Sequence, residues 1–291
     1  MDVLWSHRID EKQPIFLQSH KRSKRLHTKR AAARRQSIRK ANSEGVSALG
    51  GLSPGETTSQ RAYIAISEAI LAGGFAPGEL LTQRSLARTL GVSEMPVREA
   101  LKHLISEGAL QGLPNRSAKI TLLNRREVEQ IFALRCMLEG RAAFLAAHNI
   151  TTHQIDRLTE IQKRIEVAVT HGQLKEYTAL NRDFHFMIYR IADDPTLLSL
   201  IRALWLRLVP AVAMSLGATL KNAQEFRRVG GSNHYRIMKA FVARDAEAAD
   251  KAMRRDLMTP TRYPDYWRVV ERLSSGESTG YGAQGFNPGV P

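Results

Sequence analysis

The spacing of apolar residues is helical along most of the chain. From about residue 58 onward they recur at positions i, i+3, i+4 and i+7, which is typical of helices that bury one face. Two short runs around a polar tip, between residues 108 and 122, instead predict a small two-stranded wing. No strand-like alternation follows Asn124. The pattern therefore predicts a mainly α-helical protein.

Two short helical patterns between Thr82 and Leu104 are joined by a tight turn at Gly91. Thr82 and Ser93 are suited to begin the two helices, and Gly91 to end the first one in a left-handed conformation. The second helix buries one stripe and presents an opposite, partly basic face that consists of Met95, Arg98 and Lys102. This arrangement is typical of a helix-turn-helix DNA reader, although similar shapes also occur in purely structural contexts.

The charge of the chain favours a polyanionic partner such as nucleic acid. The formal net charge is +15 at pH 7. Residues 1–58, which we interpret as a disordered basic arm and linker, hold twelve Lys/Arg and five Asp/Glu, so +8 remains on the rest. The single cysteine fits a reducing cytoplasm. Because Arg202, Arg207 and Pro210 interrupt the most apolar stretch, we expect no membrane span and a cytoplasmic, nucleoid-associated protein.

The stretch PGELLTQRSLARTLGVSEMPVREALKHLISEGAL resembles the DNA-binding domain of the gluconate-repressor (GntR) family of bacterial transcription regulators. Its most specific part is the run Pro96-Val97-Arg98-Glu99-Ala100-Leu101. The resemblance implies a winged helix-turn-helix over residues 59–122 that binds double-stranded operator DNA. It assigns the DNA contacts to Arg84, Ser93, Glu94, Met95, Pro96, Arg98, Arg116 and Ser117.

Two of these positions depart from the family pattern. Position 94 is often arginine and is Glu94 here, so the operator sequence cannot be carried over. The wing tip is usually glycine and is Ser117 here. From the residues alone, Arg98 could also form a salt bridge at the surface of its helix.

The second half of the chain is predicted to be an all-helical domain over residues 123–260, followed by a tail over 261–291. Asn124 with Glu127, and Thr151 with Gln154, have the spacing of capping boxes. The fourth helix is expected to bend or break at Pro210. The six predicted helices span about 124–147, 155–170, 173–192, 195–216, 223–243 and 246–258.

Polar residues interrupt the buried stripes of four of these helices. They are Arg135 and Glu139 on the first, Asn181 and His185 on the third, His234 on the fifth and Asp256 on the sixth. Because a buried polar group is unfavourable unless it is bonded, the coincidence suggests one shared polar cavity. Imidazole nitrogen with carboxylate oxygen suits one Zn²⁺, Ni²⁺ or Mn²⁺ ion. Each histidine could equally be a satisfied core residue.

Three further segments resemble the effector-binding domain of the fatty-acid-regulator (FadR) branch of that family, the FCD type. They are FALRCMLEGRAAFLAAHN, LNRDFHFMIYRIADDP and SNHYRIMKAFVARDAEAADKAMRRDL. The resemblance implies a six-helix bundle around an effector cavity, in which an Asp or Asn and three histidines often hold a metal. By position these are Asn181, His185, His234 and, in place of the last histidine, Asp256.

Arg135 matches an arginine of that branch that projects toward the cavity, where it could pair with an effector carboxylate. An internal bridge to Glu139 at i, i+4 remains an equal alternative.

The two resemblances together imply a homodimeric transcription regulator, in the first instance a repressor, controlled by a small organic acid. Two other functions stay open from the residues. A metal-dependent enzyme could use the same cavity, but the buried stripes carry no further acid or histidine to act as general base. A non-specific DNA-binding protein could use the basic arm and would bind all sequences alike. We expect no enzymatic activity.

Overall fold

The computed structural model of the protein describes residues 57–114, 117–219 and 231–275. Within them the fold is mainly α-helical, with a winged helix-turn-helix followed by a helical bundle, as the sequence predicts. The predicted arm up to residue 56, Arg116, the start of the fifth bundle helix and the tail from residue 276 lie outside the described residues.

The winged part consists of α1 (Thr58–Leu71), β1 (Leu80–Thr82), α2 (Gln83–Leu90), α3 (Glu94–Ser106), β2 (Leu110–Leu113) and β3 (Ser117–Ile120). The bundle consists of α4 (Arg125–Asn149), α5 (Thr152–Thr170), α6 (Leu174–Ile191), α7 (Pro195–Thr219), α8 (Gly231–Val242) and α9 (Ala246–Leu257). A short 3-10 turn, Pro260–Arg262, then leads to α10 (Pro264–Ser274).

The turn of the helix-turn-helix forms as predicted. The Thr82 hydroxyl accepts a hydrogen bond from the Ser85 amide at 3.2 Å and begins α2. Gly91 ends α2 with φ of 66°, a left-handed conformation that glycine adopts without steric cost. Ser93 is the N-cap residue of α3, at the predicted position, but its side chain makes no capping hydrogen bond among the described residues.

The two predicted wing strands, β2 and β3, pair antiparallel, and a third strand that was not predicted, β1, completes a sheet in the order β1-β3-β2. Leu81 of β1 is fully buried and lies opposite Ala118 of β3. The extra strand forms because Leu81 fills the core beneath α2 and α3, which brings its backbone beside β3. The wing is thereby fixed against the helices on both sides.

The bundle helices begin where the capping signals predict. Both reciprocal hydrogen bonds of the capping box are present at Asn124 and again at Thr151. The helix α7 continues through Pro210, so of the predicted bend or break the break does not occur, and the bend stays a prediction. Within the predicted C-terminal tail, residues 264–274 form α10, which packs Tyr266 and Val270 into a second core with Phe132.

One described helix segment, Pro195–Ser215 in α7, is long and apolar enough to cross a membrane by length and composition. Because a helix in a protein core meets the same two criteria, this finding does not contradict the expectation of no membrane span. Its apolar side chains serve packing between the domains and within the bundle, and Ile201, Leu206 and Leu208 are fully buried.

Candidate functional site

The exposed side of α3 faces a groove of about 330 Å³ that runs between this helix and strands β2 and β3. Arg98 and Lys102 line its helix side, and Ser117 lines its wing side. The structure thus brings together the predicted contacts Arg98 and Ser117. A basic groove between a recognition helix and a wing is suited to a sugar-phosphate backbone.

The remaining predicted DNA contacts differ in exposure. Arg84, Ser93, Glu94 and Met95 are exposed, and Met95 retains 62% of its accessible surface. Pro96 is buried in the first turn of α3, unlike the other four, and its assignment as a DNA contact stays a prediction. Its ring serves packing, at a position where no intrahelical N–H is needed.

The surface salt bridge that could compete for Arg98 is weak. Its guanidinium nitrogen lies 4.0 Å from Glu99, and both side chains are almost half exposed. Glu99 is instead bonded to Lys102 at 3.0 Å. Arg98 is therefore free to turn toward a phosphate or a base edge.

Three of the four predicted metal ligands meet in the interior of the bundle. The Nε2 atom of His185 lies 3.2 Å from Oδ2 of Asp256, and that of His234 lies 3.9 Å from the same oxygen. Both histidines are buried, and the three ligand atoms all lie within 4.8 Å of one another. Asn181, one turn before His185, is half-buried, and its side-chain oxygen accepts a hydrogen bond from Tyr177 at 3.4 Å.

Hydrogen bonds on the other ring nitrogen fix the tautomer of His234. Gln162 donates its amide to Glu166 at 3.1 Å, so its carbonyl oxygen faces Nδ1 of His234 at 2.7 Å. That oxygen can only accept, and therefore Nδ1 carries the proton and Nε2 presents a lone pair.

The same reasoning applies to His185. The hydroxyl of Tyr189 donates to the Glu139 carboxylate, so it accepts from Nδ1 of His185 at 3.1 Å. Two imidazole lone pairs and a carboxylate oxygen of Asp256 consequently face one another. These three acceptor atoms repel one another unless a cation or a proton lies among them. Metal-binding histidines typically make hydrogen bonds of this kind through the ring nitrogen that does not bind the metal.

Burial and charge act in opposite directions in this trio. Burial lowers the pKa of His234 to about 4, so the ring is neutral at pH 7. Burial alone would raise the pKa of Asp256, but the positive charge that His234 or His185 presents when protonated outweighs burial and lowers that pKa below its usual range. A neutral imidazole and an ionised carboxylate are the forms that bind a metal ion.

The inner cluster extends to Arg135, which forms the predicted i, i+4 bridge to Glu139. Its Nε and Nη2 atoms donate to the two carboxylate oxygens at 2.5 and 3.2 Å. Burial alone would lower the pKa of Arg135, but the charge and hydrogen bonds of Glu139 raise it. The guanidinium also lies over the Trp205 ring at 4.5 Å. Among the described residues, its Nη1 atom makes no hydrogen bond.

Several members of the cluster do not follow from any short motif. Glu139 accepts from Tyr189 and, at 3.0 Å, from the indole N–H of Trp205. Tyr266 reaches the same region from α10, since the charge of Arg135 acts on its hydroxyl. That hydroxyl is buried and has no hydrogen-bond partner among the described residues. Only the apolar spacing of these aromatic residues is visible in the sequence.

Comparison with known proteins gives two family matches and consistent relatives. The family model "Bacterial regulatory proteins, gntR family" matches residues 58–120, and "FCD domain" matches residues 130–258. The HTH-type transcriptional regulator McbR of Escherichia coli (strain K12) is 31% identical over 167 residues, which are 57% of this chain and 74% of McbR.

A probable D-xylose utilization operon transcriptional repressor of Paenarthrobacter nicotinovorans is 29% identical over 172 residues, 59% of this chain and 73% of the repressor. The solved structure of E. coli McbR/YncC has a TM-score of 0.66 at 26% identity and covers 71% of this chain and 96% of its own.

Proposed function

Because this chain belongs to the GntR family of bacterial regulatory proteins and carries an FCD domain, we propose that it is an operator-binding repressor controlled by a small carboxylate effector. The family consists of transcriptional regulators that bind DNA operators and small-molecule effectors, so the chain is a regulator and not an enzyme. The DNA-binding domain comprises residues 59–122 and the effector domain residues 123–260. We place the protein in the cytoplasm.

The observation that carries the operator proposal is the basic groove between α3 and the wing. Arg98 reads or positions DNA there, with Arg84, Ser93, Glu94 and Met95 along the exposed helix-turn-helix face and Ser117 at the wing. A homodimer would place two copies of α3 in successive major grooves of a near-palindromic operator. Exposed Leu134 and Met137, one turn apart on α4, support a self-association face.

The effector domain holds a divalent cation between His185, His234 and Asp256, with Asn181 as the fourth protein ligand. The donor set fits Zn²⁺, Ni²⁺ or Mn²⁺, since two neutral imidazoles and one carboxylate present lone pairs to one point. When bound, the ion would supply an electrophilic contact for an effector oxygen.

The charges of the cluster favour an anionic effector. One arginine and one divalent cation face the carboxylates of Glu139 and Asp256, which leaves a net charge of +1. A monocarboxylate would neutralise this charge, and Arg135 would be able to pair with it. Binding would favour one orientation of the DNA-binding domains and so change operator affinity.

The operator proposal is tested with DNA that the purified full-length chain selects from a random pool. We expect Arg98→Ala to weaken binding to that DNA by about 1–3 kcal/mol in a gel-shift titration. Arg164→Ala is the matched control, because Arg164 is also an exposed helical arginine but lies on α5, away from the winged part. Equal affinities of the wild type and Arg98→Ala would contradict the assignment.

A further inference from the structure

One carboxylate of the DNA-binding domain is held by two arginines of the bundle. Glu68 of α1 accepts from Nη1 of Arg202 on α7 at 2.9 Å and pairs with Nη1 of Arg182 on α6 at 3.6 Å. Arg202 also donates to the hydroxyl of Ser67 at 2.7 Å. Ser67 is fully buried and donates in turn to the carbonyl of Ile64 at 2.9 Å.

Each of these arginines lies one helical turn from a side chain of the inner cluster. On α6, Arg182 precedes His185 by three residues, and on α7, Arg202 precedes Trp205 by three residues. The rings of His185 and Trp205 lie 5.7 Å apart, so the two helices also meet inside the bundle. A displacement of either helix at the inner cluster therefore moves the arginine that it carries toward or away from Glu68.

The strength of this contact comes from its geometry. Single exposed ion pairs contribute little to stability, and Glu68 is almost half exposed. Arg202 and Arg182 are mostly covered, at 26% and 21% exposure, and hold the two different oxygens of one carboxylate. The pairing is therefore sensitive to the relative position of α6 and α7, and this is what a regulatory contact requires.

We propose that the inner cluster of the effector domain controls the orientation of the DNA-binding domain through the ion pairs of Glu68 with Arg182 and Arg202. This inference rests on the proposed function. An effector in the cluster changes the bonds of Trp205 on α7 or of His185 on α6, and the helix concerned shifts. The ion pairs of Glu68 with Arg182 and Arg202 change as a result. These ion pairs form a two-state element whose equilibrium both the effector site and the DNA site can bias.

A double-mutant cycle on operator affinity tests the inference. Trp205→Phe removes the indole donor to Glu139 but keeps an aromatic ring. Glu68→Gln weakens the ion pairs with Arg182 and Arg202 and preserves the shape of the side chain. We expect Trp205→Phe to change the operator Kd by about fivefold or more in the wild-type background, the lower end of typical allosteric couplings. In the Glu68→Gln background the same substitution should change the Kd by less than about twofold.

The matched control is Glu176→Gln. This substitution weakens an exposed ion pair of 3.6 Å between Glu176 and Arg164, which joins two helices of the bundle and does not involve the DNA-binding domain. In this background Trp205→Phe should retain its full effect. Three outcomes would each overturn the inference. Trp205→Phe could leave the operator Kd unchanged, or it could change the Kd equally in the wild-type and Glu68→Gln backgrounds. It could also lose its effect in the Glu176→Gln control.

Thermal unfolding checks that every variant is folded, and Tyr189→Phe, which removes another donor to Glu139, replaces Trp205→Phe if that variant unfolds. A wild-type chain that selects no DNA contradicts the proposed function itself. Selected DNA with an additive cycle contradicts only the role of Glu68.

Discussion

Neutralising Glu139 would test whether the charges of the inner cluster are held as the structure indicates. The side chain is fully buried and accepts hydrogen bonds from Arg135, Trp205 and Tyr189. Glu139→Gln keeps its shape but presents an amide to donors that need an acceptor. Arg135, 6% exposed, would remain as a buried cation without its partner.

The expected loss of stability follows from these contacts. Breaking a buried ion pair by removing one partner costs about 3–5 kcal/mol. Because the glutamine carbonyl can still accept one hydrogen bond, we expect the lower end, about 3 kcal/mol. For a domain of this size, that corresponds to a fall in Tm of about 6–12 °C.

The measurement is urea unfolding followed by circular dichroism in EDTA, with Glu129→Gln as the control. Glu129 lies on the same helix and pairs with Arg125 at 3.0 Å with the same i, i+4 spacing, but both side chains are half exposed. The control should lose less than about 1 kcal/mol. Equal losses in the two variants, or less than about 1 kcal/mol for Glu139→Gln, would refute the assignment of Glu139 as the buried counter-charge.

Three further predictions concern the proposed metal site. His185→Ala combined with His234→Ala should abolish bound metal, and full occupancy by elemental analysis would refute the site. Gln162→Leu should weaken Zn²⁺ binding about 10- to 100-fold in a competition titration with a chelator, because His234 loses the bond that fixes its tautomer; unchanged affinity would contradict that role. In EDTA, the free energy of unfolding should fall by about 3 kcal/mol between pH 6.5 and pH 4. In the unfolded chain His234 gains a proton over this pH range, whereas in the folded chain the pKa of His234 is about 4 and the ring stays neutral. The His234→Asn variant should therefore lack this pH dependence.

Signals within a few residues were sufficient to predict the helices and their inward faces. The capping boxes at Asn124 and Thr151 mark the first residues of α4 and α5, since a cap depends on side chains three positions apart. The helical period also places His185 and His234 on buried faces. Local periodicity decides which way a side chain points, and therefore the candidate ligands could be named.

Elements whose stability depends on distant partners could not be placed with the same success. The strand β1 has three residues and forms only because it pairs with β3, almost forty residues later. The helix α10 does carry a local signal, Pro264 at its first position and Tyr266, Val270 and Leu273 at i, i+4 and i+7. That period is short, and only the packing of α10 against α7 and α4 distinguishes it from a tail.

The role of Arg135 could not be decided from sequence spacing. The i, i+4 spacing predicts a bridge to Glu139, and the resemblance to the FCD type predicts an effector contact, so the sequence leaves both roles open. In the fold they are compatible, because Nε and Nη2 hold Glu139 while Nη1 does not take part in that bridge. What fixes this division is the further bonding of Glu139 to Tyr189 and Trp205, which lie 50 and 66 residues away. These long-range donors hold the carboxylate in place, and the carboxylate in turn orients the guanidinium.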